Sequence, residues 1–220
     1  MMRLAVFDCD GTLVDGQADV CWAMARAFTR AGLPAPGDHA VRRIVGLSLP
    51  AAVRALAPAL SEHDNRAVTE FYRSSFRARR EEGLLEEPLY EGIADLLRSL
   101  HAGGWSLAVA TGKSDRGLAA CLAGHGIADL FTSLQTADRH PSKPHPAMLE
   151  AALFEAGARR EEAVMIGDTS FDMVMARSIG VAAIGVGWGY HGTAELLASG
   201  AARVVESAAA LAAALEETLP

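Results

Sequence analysis

The chain has 220 residues, half of them hydrophobic, with a net charge of −7 and an isoelectric point near 5.5, which is enough apolar material for a large core or for two smaller ones. The acidic balance, with no basic run interleaved with aromatics, argues against nucleic acid as a partner, and no apolar stretch approaches the length of a membrane span. Cys9, Cys21 and Cys121 are an odd set at unrelated spacings, so neither a disulfide framework nor a zinc knuckle is expected, and a cytoplasmic location is the default.

The first predicted element is a strand over 4–7, a short continuous apolar run of the kind that a parallel sheet buries on both faces. It feeds into Asp8-Cys9-Asp10-Gly11-Thr12-Leu13. Carboxylates at i and i+2 in extended chain can face one site, and Gly11 lets the backbone turn straight afterwards. Two like charges so close call for a divalent cation or a shared proton; the bland alternative is a strand ending in an Asx turn.

From 16 to 84 no strand is predicted. Helical patterns run over 18–31, 38–45, 50–56 and 61–82, punctuated by Pro34, Pro36, Pro50 and Pro58. Val68, Phe71, Tyr72, Ser75 and Phe76 share one face of the last helix, while the Arg77, Arg79, Arg80, Glu81, Glu82 run reads as a solvated one. This span is expected to form a helical insertion, leaving 1–15 and 85–220 as the core. In the core, Ile93, Leu96, Leu97 and Leu100 keep a 3.6-residue period up to Gly103, and Met148, Leu149, Ala152 and Leu153 do so up to Gly157. Strands are predicted over 105–110, 163–166 and 181–186, with a terminal helix over 208–219. The alternation implies an α/β fold: a doubly wound, mostly parallel sheet with an inserted helical domain.

Three further segments stand where the ligand of such a sheet is expected, beyond the carboxyl ends of strands or at a helix start. Thr111-Gly112-Lys113 follows the strand over 105–110, Lys143-Pro144 precedes a helix, and Gly167-Asp168-Thr169-Ser170-Phe171-Asp172 follows the strand over 163–166. Against eighteen arginines the chain has only two lysines, Lys113 and Lys143, and both sit in these segments. A compact ammonium suits neutralising a phosphate beside carboxylates.

Taken in order, Asp8 to Asp15, Thr111, Lys143-Pro144 and Gly167-Asp168 with Asp172 resemble the four motifs of the haloacid dehalogenase superfamily, and the helical insertion looks like that family's mobile cap. Gly187-Trp188-Gly189-Tyr190, and Gly200-Ala201 before a last short strand, look most like its phosphoglycolate phosphatase group. The resemblance implies Asp8 as nucleophile and Asp10 as acid and base. It implies Mg²⁺ held by the Asp8 carboxylate, the Asp10 backbone carbonyl and Asp168, with Asp172 orienting its waters. Thr111 and Lys143 would hold the phosphoryl oxygens with the backbone after Asp8, including Gly11 and Thr12, while Gly112 and Lys113 would line the substrate site. Residues 42–48 look like the cap loop that meets the substrate, making Arg43 and Gly46 candidate contacts, Arg43 for a second anionic group.

The implied activity is hydrolysis of a small phosphorylated metabolite, 2-phosphoglycolate foremost, by a monomer or homodimer through an aspartyl-phosphate. A β-phosphoglucomutase-like sugar-phosphate mutase and a pyrophosphatase of the same family are the alternatives, and a phosphoryl-ligand sensor with a vestigial site is a third from another class. An acid at Asp10 speaks against a dehalogenase, and the absence of lysine from 16–84 against a Schiff-base phosphonate hydrolase. Gly16 and Gly112 depart from the serine and asparagine that the family often carries there. Gly187, Gly189 and Gly192 spell a dinucleotide-like pattern but read better as a turn-rich loop, and His125, His140, His145 and His191 show no metal-ligand spacing, which leaves them surface or capping roles.

Overall fold

Residues 2–219 are described by a computed structural model. Its centre is one sheet of six parallel strands, β1 (Leu4–Phe7), β2 (Ser106–Thr111), β3 (Phe131–Thr136), β4 (Ala163–Gly167), β5 (Ala182–Val186) and β6 (Arg203–Val205), in the order β3-β2-β1-β4-β5-β6. Helices α1 (Gln17–Arg30), α2 (Asp38–Arg42), α3 (Leu49–Leu56) and α4 (Glu62–Glu81) are inserted between β1 and β2. The chain then continues through α5 (Ile93–Ala102), α6 (Asp115–Gly124), α7 (Ala147–Ala156), α8 (Ser170–Ser178), α9 (Thr193–Ser199) and α10 (Ala208–Thr218).

The central strand shows why its sequence is apolar throughout. Ala5 and Phe7 face the cluster built with α5, α6 and α10, whereas Leu4 and Val6 face the one built with α7, α8 and α9, and all four are fully buried. The predicted strands agree with β1, β2, β4 and β5 to within a residue at each end. β3 escaped notice because it is an edge strand whose buried residues include Ser133, Gln135 and Thr136 rather than an apolar run. Those polar groups satisfy one another: Gln135 donates to Ser133 at 2.8 Å, and the Ser133 hydroxyl donates to Glu155 at 2.7 Å.

The insertion has its own apolar centre, in which Met24 and Phe28 of α1 meet Val41, Val53 and Val68. Its two connections to the sheet pair with each other: Val14 bridges Leu89 antiparallel, and the Asp15 amide donates to the Pro88 carbonyl at 2.8 Å. Just beyond lies Asp19, fully buried, which accepts from the Arg79 guanidinium and from the Glu86 amide at 2.6 Å, tying α1, α4 and the returning chain together. The basic end of α4 is therefore not the solvated face that its composition suggests. Arg79 turns inward to Asp19, Arg80 reaches Glu87 at 3.3 Å, and only Arg77, Glu81 and Glu82 stay exposed.

The insertion sits down on the core. Ser48 donates its amide to the Ser142 hydroxyl at 2.8 Å, and Arg43 forms a two-pronged pair with Glu195 of α9, both contacts at 2.6 Å. A methyl group on Gly112 would collide with the carbonyl oxygens of Gly46 and Leu47, so the loop after α2 rests directly on the backbone that follows β2.

Candidate active site

β1 and β4 are neighbours, with Phe7 in register with Ile166, so the residues that leave their carboxyl ends emerge side by side. This is why Asp8 and Asp168 meet although 160 residues of chain separate them. The Asp8 amide still donates to the Ile166 carbonyl at 2.9 Å, and the Thr12 hydroxyl donates to Asp168 at 2.8 Å. Gly11, at φ +85, occupies a place where any side chain would strike the Asp168 carboxylate and the Tyr190 ring.

Asp172 arrives from the first turn of α8. Thr169 and Asp172 form a capping box, the Thr169 amide and hydroxyl donating to Asp172 at 3.1 and 2.7 Å, which fixes that carboxylate at the helix start. The Lys143 ammonium lies between Asp172, at 2.6 Å, and Asp8, at 3.0 Å. Asp8, Asp168 and Asp172 each offer an oxygen within 4.8 Å of the others, and all three are fully buried.

The electrostatics are those of a centre short of positive charge. Burial pushes the Asp8 carboxyl up to about 7 against the pull of Lys143, and burial with the charges of Asp8 and Asp172 lifts Asp168 well above the usual carboxylate range. Burial works against the Lys143 ammonium too, but Asp172 and Asp8 outweigh it and hold the proton on. Three buried carboxylates face one ammonium, and Asp8 Oδ2 has no hydrogen-bond partner among the described residues. A hard divalent cation suits such a set: the donors are all carboxylate oxygens, and two negative charges are left to balance.

Asp10 does not join that group. β1 ends at Phe7 and residues 9–13 form a turn, with the Leu13 amide donating to the Cys9 carbonyl at 2.9 Å, so strand alternation no longer sets where Asp10 points. Its carboxylate accepts instead from the Lys113 ammonium at 2.5 Å, and Lys113 also donates to Glu87 at 2.7 Å. Thr111 ends β2 fully buried, its hydroxyl accepting the Lys113 amide at 3.2 Å. Gly46 packs beside Thr169 and Phe171. Arg43 is engaged with Glu195 and does not line the chamber that opens onto Asp10.

Several residues of this centre were not singled out as site residues from sequence. The Tyr190 amide donates to Asp168 at 2.9 Å, and a side chain at Gly189 would collide with the same carboxylate, so the glycine-rich loop after β5 is a turn-rich wrap around Asp168. His191 has a capping role, but at a buried position. Its Nδ1 accepts the Ser170 amide at 3.0 Å at the start of α8, which leaves Nε2–H facing the Arg43 carbonyl at 3.3 Å. Glu87 stands in a plain Glu-Glu-Pro context that carries no signal of its partnership with Lys113.

Between the insertion and the core lies a chamber of about 490 Å³, reaching Asp10, Thr111 and Lys113 at its floor. Among the described residues no helix is long and apolar enough to cross a membrane.

Comparison with known proteins gives a consistent result. The profile of a family described as haloacid dehalogenase-like hydrolase matches residues 5–186. The probable phosphatase IndB of Dickeya dadantii is 37% identical over 203 residues, covering 90% of this chain and 87% of that protein. A phosphoglycolate phosphatase of Vibrio vulnificus is 30% identical over 218 residues, covering 96% and 94%. Among solved structures, a predicted phosphatase from Clostridium acetobutylicum superimposes with a TM-score of 0.89 at 25% identity over 99% of each chain.

Proposed function

The chain belongs to the haloacid dehalogenase-like hydrolase family, and from that premise we propose that it is a Mg²⁺-dependent phosphatase that cleaves a phosphate monoester through an aspartyl-phosphate. The observation that carries the reading is the buried group of Asp8, Asp168 and Asp172 around Lys143, with Asp8 Oδ2 unengaged. With Oδ1 held by the Cys9 amide and Lys143, the free Oδ2 of a carboxylate at the end of a central strand is suited to attack phosphorus.

In the first half-reaction an Asp8 oxygen bonds to phosphorus as the bond to the ester oxygen breaks, and Asp10 delivers a proton to that leaving oxygen. In the second, water attacks the phosphoryl group, Asp10 takes its proton, inorganic phosphate departs and Asp8 is restored. Such positioned proton transfer typically contributes about 10² to 10⁴ in rate. Lys143, held by Asp172, steadies Asp8 and faces the phosphoryl charge, and Thr111 receives its oxygens, whereas the Gly11 and Thr12 amides, expected from sequence to do so, already donate to the Val14 and Cys9 carbonyls and shape the turn instead. Asp8, Asp168 and the Asp10 carbonyl would hold the Mg²⁺, with Asp172 supporting from behind, and the ion supplies charge neutralisation for the transferred group. The docked insertion keeps bulk water from the acyl phosphate.

Relatives named phosphoglycolate phosphatase make 2-phosphoglycolate the first ester to assay. The decisive experiment measures phosphate release over a panel of esters, with sugar phosphates and pyrophosphate included. Release that requires Mg²⁺, stops reversibly with a chelator and is absent from Asp8→Asn is the expected result. Interconversion of sugar phosphates without net release would replace the phosphatase by a mutase.

A further inference from the structure

The proposed chemistry meets the chamber at Asp10 and Thr111, and what lines the rest of it is informative about the organic part of the substrate. The insertion is already docked on the core through Ser48–Ser142, Arg43–Glu195 and the seat of Leu47 on Gly112, so about 490 Å³ is the room left with these contacts made. That volume falls within the roughly 300–1,000 Å³ of clefts that enclose drug-sized ligands. At about 30 Å³ per water it equals some sixteen waters. Two carbons beyond an ester oxygen would leave most of it wet.

The lining combines an apolar part with a charged one. Val20, Met24, Val45, Tyr72 and Phe76 of the insertion contribute apolar groups to it, and Tyr72 and Phe76 are stacked on each other with ring centroids 5.5 Å apart. The charges on the lining are unequally satisfied, and one of them, the Arg80 guanidinium, lies over the Phe76 ring at 5.8 Å from its centroid. Arg73 pairs with Glu70 at 2.6 Å and Arg80 with Glu87 at 3.3 Å, whereas Arg77 of α4 and Arg116 of α6 are exposed and have no carboxylate partner among the described residues. The lining therefore offers one unpaired guanidinium from the insertion, Arg77, and one from the core, Arg116.

Resting on the phosphatase reading, we infer that the substrate is a phosphate monoester whose organic part carries a ring-sized apolar face, seated against Tyr72 and Phe76, and an anionic group at its far end, met by Arg77 and Arg116. The phosphate and the distal anion would then span the chamber from floor to mouth, with the ring displacing the water between them.

The test compares 4-carboxyphenyl phosphate, phenyl phosphate and 2-phosphoglycolate in two measurements, kcat/KM with wild-type protein and Mg²⁺, and affinity for the Asp8→Asn variant. Both aromatic esters are expected to exceed 2-phosphoglycolate by more than about tenfold, the scale on which apolar pockets discriminate by carbon count. The carboxylated ester is expected to lead, and Arg77→Ala narrows its advantage over phenyl phosphate. Equal or better turnover of 2-phosphoglycolate overturns the inference while leaving a phosphatase in place. If no ester is turned over, the phosphatase reading falls, and affinity for Asp8→Asn then decides: a preference for the aromatic esters upholds the chamber assignment, and no preference removes it.

Discussion

Lys113 places its ammonium 2.5 Å from the carboxylate of Asp10 and, in the same buried corner, 2.7 Å from that of Glu87. Through Glu87 the chain of charge extends to Arg80 on α4, so the proposed acid–base residue is held by a lysine whose other partner touches the insertion. Removing one member of such a set leaves the rest uncompensated, at a cost of about 3–5 kcal/mol for a buried pair. Lys113→Met is therefore expected to destabilise the protein on that scale, and adding Glu87→Gln to restore part of the loss. Chemical denaturation of the two variants and the wild type checks this; additive losses would show that Lys113 and Glu87 act independently.

The Asp8 carboxyl, displaced by burial from its ordinary 3.8 to about 7, makes the metal-free fold sensitive to pH in a definite direction. Between those values the folded state holds a proton that the unfolded chain releases, so this contribution is full below about pH 4 and is lost as the pH rises through about 7. In chelator, the stability of the wild type relative to Asp8→Asn should therefore fall across that window. Mg²⁺ should reverse the trend, adding about 2.7 kcal/mol at a hundredfold excess over its dissociation constant and adding more at pH 8 than at pH 5, where protons compete. Thermal melts with and without Mg²⁺ at both pH values read the effect, and an identical Mg²⁺ increment at the two would contradict it.

Gly112 supports the loop after α2 so closely that no side chain fits beneath Gly46 and Leu47. Gly112→Ala is expected to lift that loop, at the roughly 1–3 kcal/mol typical of overpacking, and to lower kcat/KM by about 5- to 150-fold if the cost falls on docking of the insertion. Proteolysis at the connections near Val14 and Leu89 should accelerate in parallel. Unchanged kinetics would mean that closure does not depend on this seat.

Arg43 and Glu195 hold the insertion down by a two-pronged pair in which both side chains keep more than a third of their surface in water. Arg43 keeps the Glu195 carboxyl below the usual carboxylate range, so the pair's contribution is present near neutrality and is lost as the pH falls through that lowered value. Exposed pairs are worth about 0.2–1 kcal/mol, so Glu195→Gln should shift the balance between docked and free insertion by no more than about fivefold, and high salt should do the same to the wild type. Hydrogen exchange of the amides over 43–48 measures it. A larger loss, or a carboxylated substrate whose KM alone responds to Arg43→Ala, would move Arg43 from a clasp to a substrate contact.

What could be read from the sequence was what repeats locally. The runs at 4–7 and 163–166 declared themselves because both faces of a central strand must be apolar, and the confinement of the two lysines to the motifs pointed to the carboxylates beside which both stand, though not to the pairing of Lys113 with Asp10 and Glu87. β3 was hidden by its buried Ser133 and Gln135, whose pairing depends on Glu155 of a distant helix. The divergence of Asp10 from Asp8 was equally hidden, since it follows from a turn whose shape is fixed by hydrogen bonds rather than by residue spacing. The wrap of Gly189 and Tyr190 around Asp168, and the union of Arg43 with Glu195, are tertiary pairings that no periodicity records.

The central claim is that Asp8 becomes phosphorylated during turnover, and acid-quenching the protein with Mg²⁺ and a turned-over ester, followed by peptide mass spectrometry, tests it most directly. The account predicts a phosphoryl group on the peptide that carries Asp8, removed by hydroxylamine and absent from Asp8→Asn. Full phosphate release by Asp8→Asn, or a phosphoryl group trapped on any other residue, would contradict it.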